Sequence, residues 1–178
     1  MKVLNLYFSS TGNTEKVAQK IAETVRSEGH QVELLKITED IKVEIFDYDF
    51  IFAGSGVYEW LPGQTFIKVF SELRREYVKA GKIKPASPRM SGKKAVVYCT
   101  YGGAHTGINE AIPAVKYMAQ LFDHLGFEIL DEWYIVGEYA PEKFKDFNII
   151  GRLRDIRGRP TADDLKAIAE RVKGILKV

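Results

Sequence analysis

The sequence contains one cysteine, Cys99, among 178 residues. A single thiol cannot form an internal disulfide, and it cannot supply the clustered cysteines that hold structural zinc. Disulfide-stapled folds and thiol-rich metal sites are therefore excluded. We expect a protein of the reducing cytoplasm that holds no metal.

The sequence also lacks long apolar runs and an excess of charge of one sign. No run approaches the roughly 18 to 20 apolar residues of a membrane-spanning helix. The N-terminal MKVLNLYF lacks the apolar core and cleavage site of an export signal. Lysine and arginine number 26 against 24 acidic residues, which indicates no nucleic-acid surface. We expect neither membrane insertion nor a nucleic-acid partner, while a homo-oligomer stays open.

Segments that favour strands alternate with segments that favour helices along the chain. Short apolar runs predict five strands, at 2–8, 31–37, 49–55, 93–100 and 127–136. Apolar residues at helical spacing predict helices between them and a last helix at 161–177. This alternation predicts one α/β domain over 1–178, with a parallel sheet covered on both faces. The stretch at about 137–160 is then a long insertion before the last helix.

Ligands of such sheets bind beyond the carboxyl ends of the strands. Three loops at these ends have little core character: SSTGNT (9–14), GSGVYEWLPG (54–63) and TYGGAHTG (100–107). We expect the three loops to form one site.

The first loop is rich in hydroxyl groups and leads directly into a helix. Ser9, Ser10, Thr11 and Thr14 offer O–H donors, and Gly12 lets the backbone approach a ligand closely. The unpaired N–H groups of a helix N-terminus favour an anion, most often phosphate. Without a lysine or a G-x-G-x-x-G pattern, the loop is neither a Walker loop nor a dinucleotide loop. The alternative is that the hydroxyls only cap the helix.

The stretch Y-F-S-S-T-G-N-T, followed by V-A, resembles the phosphate loop of flavodoxins. The resemblance extends over residues 1–136 and the last helix. It implies a flavodoxin-like three-layer sandwich whose five parallel strands lie in the order 2-1-3-4-5, with FMN as cofactor. The residues that it places against the FMN phosphate are Ser9, Ser10, Thr11, Gly12, Asn13 and Thr14.

The second loop should contact the flavin ring. Tyr58 and Trp60 present flat aromatic faces suited to stacking, and Gly56 and Val57 precede them. The alternative is that both rings pack under the following helix. The pattern G-S-G-V-Y-x-x-x-P-G-Q resembles FMN-dependent NAD(P)H and quinone reductases more than flavodoxins. This second resemblance implies NAD(P)H as a reductant.

The third loop has glycines where side chains would obstruct a ring edge. Thr100, Tyr101, Gly102 and Gly103 belong to a stretch whose backbone N–H groups suit the flavin N1 and O2 edge. His105 is the one histidine in the three loops. It is a candidate catalytic group, and an ordinary loop histidine is the alternative.

Two functions fit these loops. One is an FMN-dependent oxidoreductase that passes electrons from NAD(P)H to a quinone or another small acceptor. The alternative is a flavodoxin that carries single electrons between redox proteins. The net charge of +2 favours the enzyme, because carrier flavodoxins are usually acidic and dock on basic partners. The hydroxyl-rich first loop favours the carrier.

Glu59 leads us to prefer the enzyme. In flavodoxins a glycine commonly follows the aromatic residue of the second loop, and its peptide turns over on reduction so that a carbonyl accepts the hydrogen on flavin N5. If Tyr58 corresponds to that aromatic residue, Glu59 stands in place of the glycine. A residue with a Cβ reaches positive φ at a cost of about 1–2 kcal/mol. We therefore expect little one-electron-reduced FMN.

Four arginines lie in the 137–160 stretch. They are able to bind a nicotinamide nucleotide phosphate or an acidic partner. The alternative is a solvated set partly paired with Asp155. The four are Arg152, Arg154, Arg157 and Arg159.

Overall fold

The structure is a computed structural model that describes residues 1–177. The strands are β1 (Lys2–Phe8), β2 (Gln31–Lys36), β3 (Phe50–Tyr58), β4 (Leu61–Pro62), β5 (Lys94–Tyr101) and β6 (Glu128–Val136). The helices are α1 (Asn13–Ser27), α2 (Gln64–Lys79), α3 (Ile112–His124), α4 (Phe147–Ile150) and α5 (Ala162–Ile175). Three short 3-10 helices lie at Ile45–Asp47, Gly107–Glu110 and Glu142–Phe144.

Five strands form a parallel sheet in the order β2-β1-β3-β5-β6. This is the order predicted for the five parallel strands, but the prediction of a five-stranded sheet is wrong by one short strand. β4 pairs antiparallel with the end of β3, with Val57 opposite Pro62 and Tyr58 opposite Leu61. A two-residue strand that contains proline has no pattern by which sequence could reveal it.

Helices cover both faces of the sheet, because successive strand residues point to opposite sides. On one side, Val3 lies in a core with Val17 of α1 and Ile168 of α5. Its neighbour Leu4 lies in a second core, with Phe66 of α2. The result is the α/β layering that the alternation of elements predicted.

The stretch between β6 and α5 folds against the loops that follow β1 and β5. The buried Asn148 ties it together, since its side chain accepts the Tyr139 N–H at 2.7 Å and donates to the Tyr139 carbonyl at 3.0 Å. The Ile156 N–H bonds to the Asn148 carbonyl. The Arg152 N–H bonds to the carbonyl of Ala104 in the loop after β5. The stretch is therefore a folded part of the molecule at the carboxyl end of the sheet.

No helix within residues 1–177 combines the length and the apolar character needed to cross a membrane. Over the same residues, no three His, Cys, Asp or Glu side chains are grouped in a way that could hold a metal ion.

Buried tyrosines should make the fold sensitive to alkali. Burial and a hydrogen bond to Glu15 raise the pKa of Tyr7 to about 12, and burial raises the pKa of Tyr98 well above its usual range. A pKa that is higher in the folded state stabilises the fold fully below about pH 10, and this stabilisation disappears as the pH rises further.

We expect the free energy of unfolding, measured by urea titration, to fall more steeply between about pH 10 and 12 than between about pH 8 and 10. The Tyr7→Phe variant has one such group fewer and should lose less stability over this range. Equal stability on both sides of about pH 10 would contradict the assignment.

Candidate functional site

A cavity of about 570 Å³ opens at the carboxyl ends of β1, β3 and β5. Its volume falls within the roughly 300–1,000 Å³ of small-molecule and cofactor sites. The structure brings residues of all three predicted loops around it. These are Ser10, Thr11, Asn13, Thr14, Gly56, Val57, Tyr58, Trp60, Thr100, Tyr101, Gly102 and Gly103.

The first loop leaves the N-terminus of α1 without a side-chain cap. Gly12 is the residue before the helix, with φ at 94°, and no side chain bonds to the first turn as a cap. The interpretation that the hydroxyls only cap the helix is therefore wrong. The first N–H groups of α1 stay available for a ligand, and the partial positive charge of the helix end favours an anion.

Two serines of the first loop shape the loop itself. Ser9 is buried, and its hydroxyl accepts the Gly12 N–H at 3.1 Å. The Ser10 hydroxyl lies 2.6 Å from the Tyr58 hydroxyl, which links the first loop to the second. Ser9 and Gly12 are not among the residues that line the cavity, so they hold the loop in place from behind. Thr11 is exposed and lines the cavity.

Two threonines join the first and third loops. The hydroxyl oxygens of Thr14 and Thr100 lie 2.8 Å apart, and both residues are buried. One hydroxyl donates to the other, so the second O–H proton of the pair is available to a ligand. The cavity therefore gains a donor beside the N-terminus of α1.

Asn13 connects the first loop to the stretch after β6. Its side-chain amide donates to the Glu138 carbonyl at 2.8 Å, a contact between residues 125 positions apart. The amide also lies against Gly137, where an added Cβ would be 2.9 Å from it. The family resemblance implies that Asn13 contacts a phosphate, whereas one of its side-chain N–H groups is used in this link.

The second loop is a hairpin whose two turn residues both have positive φ. Glu59 has φ at 47° and Trp60 at 69°, the pattern of a type I′ turn between β3 and β4. Each non-glycine residue in this region costs about 1–2 kcal/mol. The turn is therefore strained, and it lies at the cavity wall. Strain of this kind clusters at ligand and switch sites.

Tyr58 and Trp60 do not pack under α2. Tyr58 is 37% exposed and Trp60 is 63% exposed, so the alternative that both are core residues is wrong. The Tyr58 ring packs edge-on against Phe8, with ring centres 6.0 Å apart. The two aromatic residues instead form part of the cavity wall.

Packing explains the glycine of the Pro-Gly-Gln pattern, Gly63. A Cβ at Gly63 would collide with the ring of Phe8, and the Gly63 N–H donates to the Ser55 hydroxyl at 3.1 Å. Gly63 is thus needed for packing at the start of α2. Gln64 does line the cavity.

The third loop is held by Glu110, which the sequence analysis did not single out. The Glu110 carboxylate accepts the N–H of His105 at 2.7 Å and that of Thr106 at 2.6 Å. The His105 ring is turned toward Phe147, with ring centres 5.5 Å apart. His105 is not among the cavity-lining residues, so its geometry does not support a catalytic role.

Other lining residues also escaped the sequence analysis, and most of them follow β6. They bring two carboxylates, Glu110 and Glu138, and one cation, Lys143, to the cavity wall. Tyr139, Phe144 and Phe147, an aromatic set within a charged stretch, were the signal that could have revealed this wall. The overlooked residues are Glu110, Gly137, Glu138, Tyr139, Ala140, Pro141, Lys143 and Phe144.

The four arginines of this stretch do not line the cavity. Arg157 pairs with Asp155 at 2.6 Å, and its hydrogen bonds lower the pKa of Asp155 to about 2. Arg159 pairs with Asp164 at 2.6 Å, while Arg152 and Arg154 are exposed. The structure thus favours the partly paired set over a nucleotide-phosphate site.

The family model of the flavodoxin domain matches residues 4–123. The chain belongs to the flavodoxin family. A flavodoxin of Aquifex aeolicus (strain VF5) is 30% identical over 135 residues, which cover 73% of this chain and 66% of that protein. The match thus spans slightly less than two thirds of the relative's length.

Solved structures share the fold. Oxidised flavodoxin 1 from Bacillus cereus superposes with a TM-score of 0.68 at 17% identity, over 99% of this chain and 98% of its own. A flavodoxin from the domain Archaea gives 0.62 at 21% identity, over 97% and 99%. The rubredoxin oxygen:oxidoreductase of Desulfovibrio gigas gives 0.56 at 19% identity, over 99% of this chain and 36% of its own. These likenesses show the flavodoxin-like α/β fold.

The cofactor of the flavodoxin family is FMN, in agreement with the sequence prediction. The donors in the cavity fit a monophosphate, because they are hydroxyl groups beside an uncapped helix N-terminus. NAD(P)H stays a prediction.

Proposed function

We propose that the protein binds FMN in this cavity and carries single electrons between redox proteins of the cytoplasm. One flavodoxin-like domain suffices for this role. The observation that carries the proposal is the match of the flavodoxin domain to residues 4–123, and the strain at Trp60 adds support. FMN supplies the redox chemistry when bound, and the residues of the chain hold and adjust it.

The phosphate of FMN would lie at the N-terminus of α1. The N–H groups of the first turn, Thr11, and the free proton of the Thr14–Thr100 pair would donate to it. The flavin ring would then lie between the second and third loops, with Trp60 on one side and Gly102 and its neighbours on the other. This placement uses all three loops at once.

The turn supports one-electron chemistry. Turning over the peptide between its two central residues converts a type I′ turn into type II′, in which only the first central residue keeps positive φ. Glu59 already has positive φ, and Trp60 would leave the strained region. The Cβ of Trp60 therefore favours the turnover by about 1–2 kcal/mol. The relief at Trp60 opposes the cost at Glu59, because the first central position of a type II′ turn favours glycine.

A second candidate is the FMN-dependent NAD(P)H oxidoreductase. Lys143 favours it, because this exposed lysine lines the cavity and offers a cation to a nucleotide phosphate. Steady-state oxidation of NADH and NADPH with a panel of quinones separates the two functions. The carrier should turn over no faster than free FMN does.

We expect the purified protein to be yellow and to hold about one FMN per chain, because the anion site suits a terminal monophosphate. The pigment should be released by denaturation, chromatographed and quantified against the protein. Extraction of FAD, or no bound flavin after incubation with excess FMN, would contradict FMN binding.

A further inference from the structure

We propose that the stretch after β6 forms a wall of the flavin site, in which Tyr139 contacts the flavin ring and Asn13 fastens the wall to the phosphate loop. The proposal rests on the proposed function, because it requires a flavin in the cavity. The wall itself lies outside the three loops that the family resemblance implicates, and Asn13 links it to the first of them.

Tyr139 lies where the third loop lacks side chains. An added Cβ at Gly102 would collide with the Tyr139 ring, so the ring packs directly on the glycine backbone. Tyr139 also lines the cavity and is half-buried. The aromatic residue of the third loop, Tyr101, is only 8% exposed. Tyr139 therefore offers a flat aromatic surface to a flavin beside Gly102.

Tyr139 is fixed at both ends before any ligand arrives. Its backbone N–H and carbonyl both bond to the Asn148 side chain, and its hydroxyl accepts the Ala104 N–H at 3.3 Å. Burial raises the pKa of the Tyr139 hydroxyl, which keeps it protonated. A ring held in this way loses little freedom on binding, so its contact contributes more to affinity.

Asn13 couples this wall to the phosphate loop. Its amide donates to the carbonyl of Glu138, the residue directly before Tyr139. Asn13 is 8% exposed, so this hydrogen bond is largely shielded from water. This hydrogen bond therefore ties the position of the wall to the position of the first loop.

The test compares FMN with riboflavin, which has the same ring but no phosphate. Tyr139→Ala should weaken the binding of both ligands by the same factor, at least about fivefold, because the ring contact is common to both. Tyr139→Phe keeps the ring and should restore binding to within about twofold. The matched control is Tyr117→Ala, since Tyr117 is also half-buried but lies on α3 away from the cavity.

The Asn13 link has its own readout. Asn13→Ala should weaken riboflavin binding by about threefold, through the loosened wall. A residue that acted only on the phosphate would leave riboflavin unchanged, and that result would overturn the coupling.

If Tyr139→Ala does not fold, Tyr139→Leu replaces it, because leucine keeps apolar bulk but no ring. Unchanged affinities in either variant, with a wild type that binds both ligands, would overturn the wall. If a Tyr139 variant lost affinity for FMN but kept its affinity for riboflavin, that result would also overturn the contact between Tyr139 and the flavin ring. A wild type that binds no flavin would instead overturn the proposed function, so the two failures are distinguishable.

Discussion

FMN should bind at least about a hundredfold more weakly to the Thr11→Ala/Thr14→Ala double variant, while riboflavin binding should change little. Both hydroxyls lie at the uncapped N-terminus of α1, where a phosphate dianion would sit. Each charge-assisted hydrogen bond contributes about 1.5–3 kcal/mol, so the loss of two accounts for the factor.

The two affinities are measured by titrating each flavin into the apo-protein. Thr38→Ala is the control, because Thr38 is an exposed threonine after β2 and does not line the cavity. If FMN and riboflavin weakened by equal factors, the first loop would not hold the phosphate. Such a result would remove the reason for choosing FMN over other flavins.

The second prediction compares two variants that both lack the indole ring. Trp60→Gly should form less one-electron-reduced FMN than Trp60→Ala, by a factor of about 5 to 30 in the formation constant. Trp60 has φ at 69°, which alanine resists and glycine adopts freely. Glycine therefore relaxes the resting turn and removes the strain that favours turnover of the Glu59–Trp60 peptide.

Redox titrations of the two variants, followed by absorbance and electron paramagnetic resonance, measure this difference. Since only the Cβ at position 60 differs, loss of the aromatic contact cancels. Equal formation constants, or a higher one for Trp60→Gly, would show that the turn does not act through strain at Trp60. The turn would then give no support to one-electron chemistry.

The order of elements could be predicted because each has a strong local pattern. Apolar runs marked the parallel strands, and helical spacing such as Val17, Ile21 and Val25 marked α1. The three loops could be predicted to meet because the carboxyl ends of parallel strands share one edge of the sheet. The periodicity of apolar residues therefore predicts the strands and helices, and the topology of a parallel sheet predicts that the three loops meet.

The features that could not be predicted depend on contacts between distant residues. Asn13 meets Glu138 across 125 positions, and no local pattern links them. The turn at Glu59 and Trp60 runs against the usual preference of non-glycine residues for negative φ. From the sequence alone that preference predicts negative φ at Glu59, whereas the hairpin pairing of β3 with β4 accompanies positive φ at both turn residues.

Anaerobic reduction of the wild-type protein tests the central claim most directly. The FMN-loaded protein is reduced stepwise, and its spectrum is recorded at each step. The account predicts that one-electron-reduced FMN accumulates before full reduction, and that NADH and NADPH reduce the protein no faster than they reduce free FMN. Passage straight to the two-electron-reduced form, together with rapid reduction by NADH or NADPH, would contradict it.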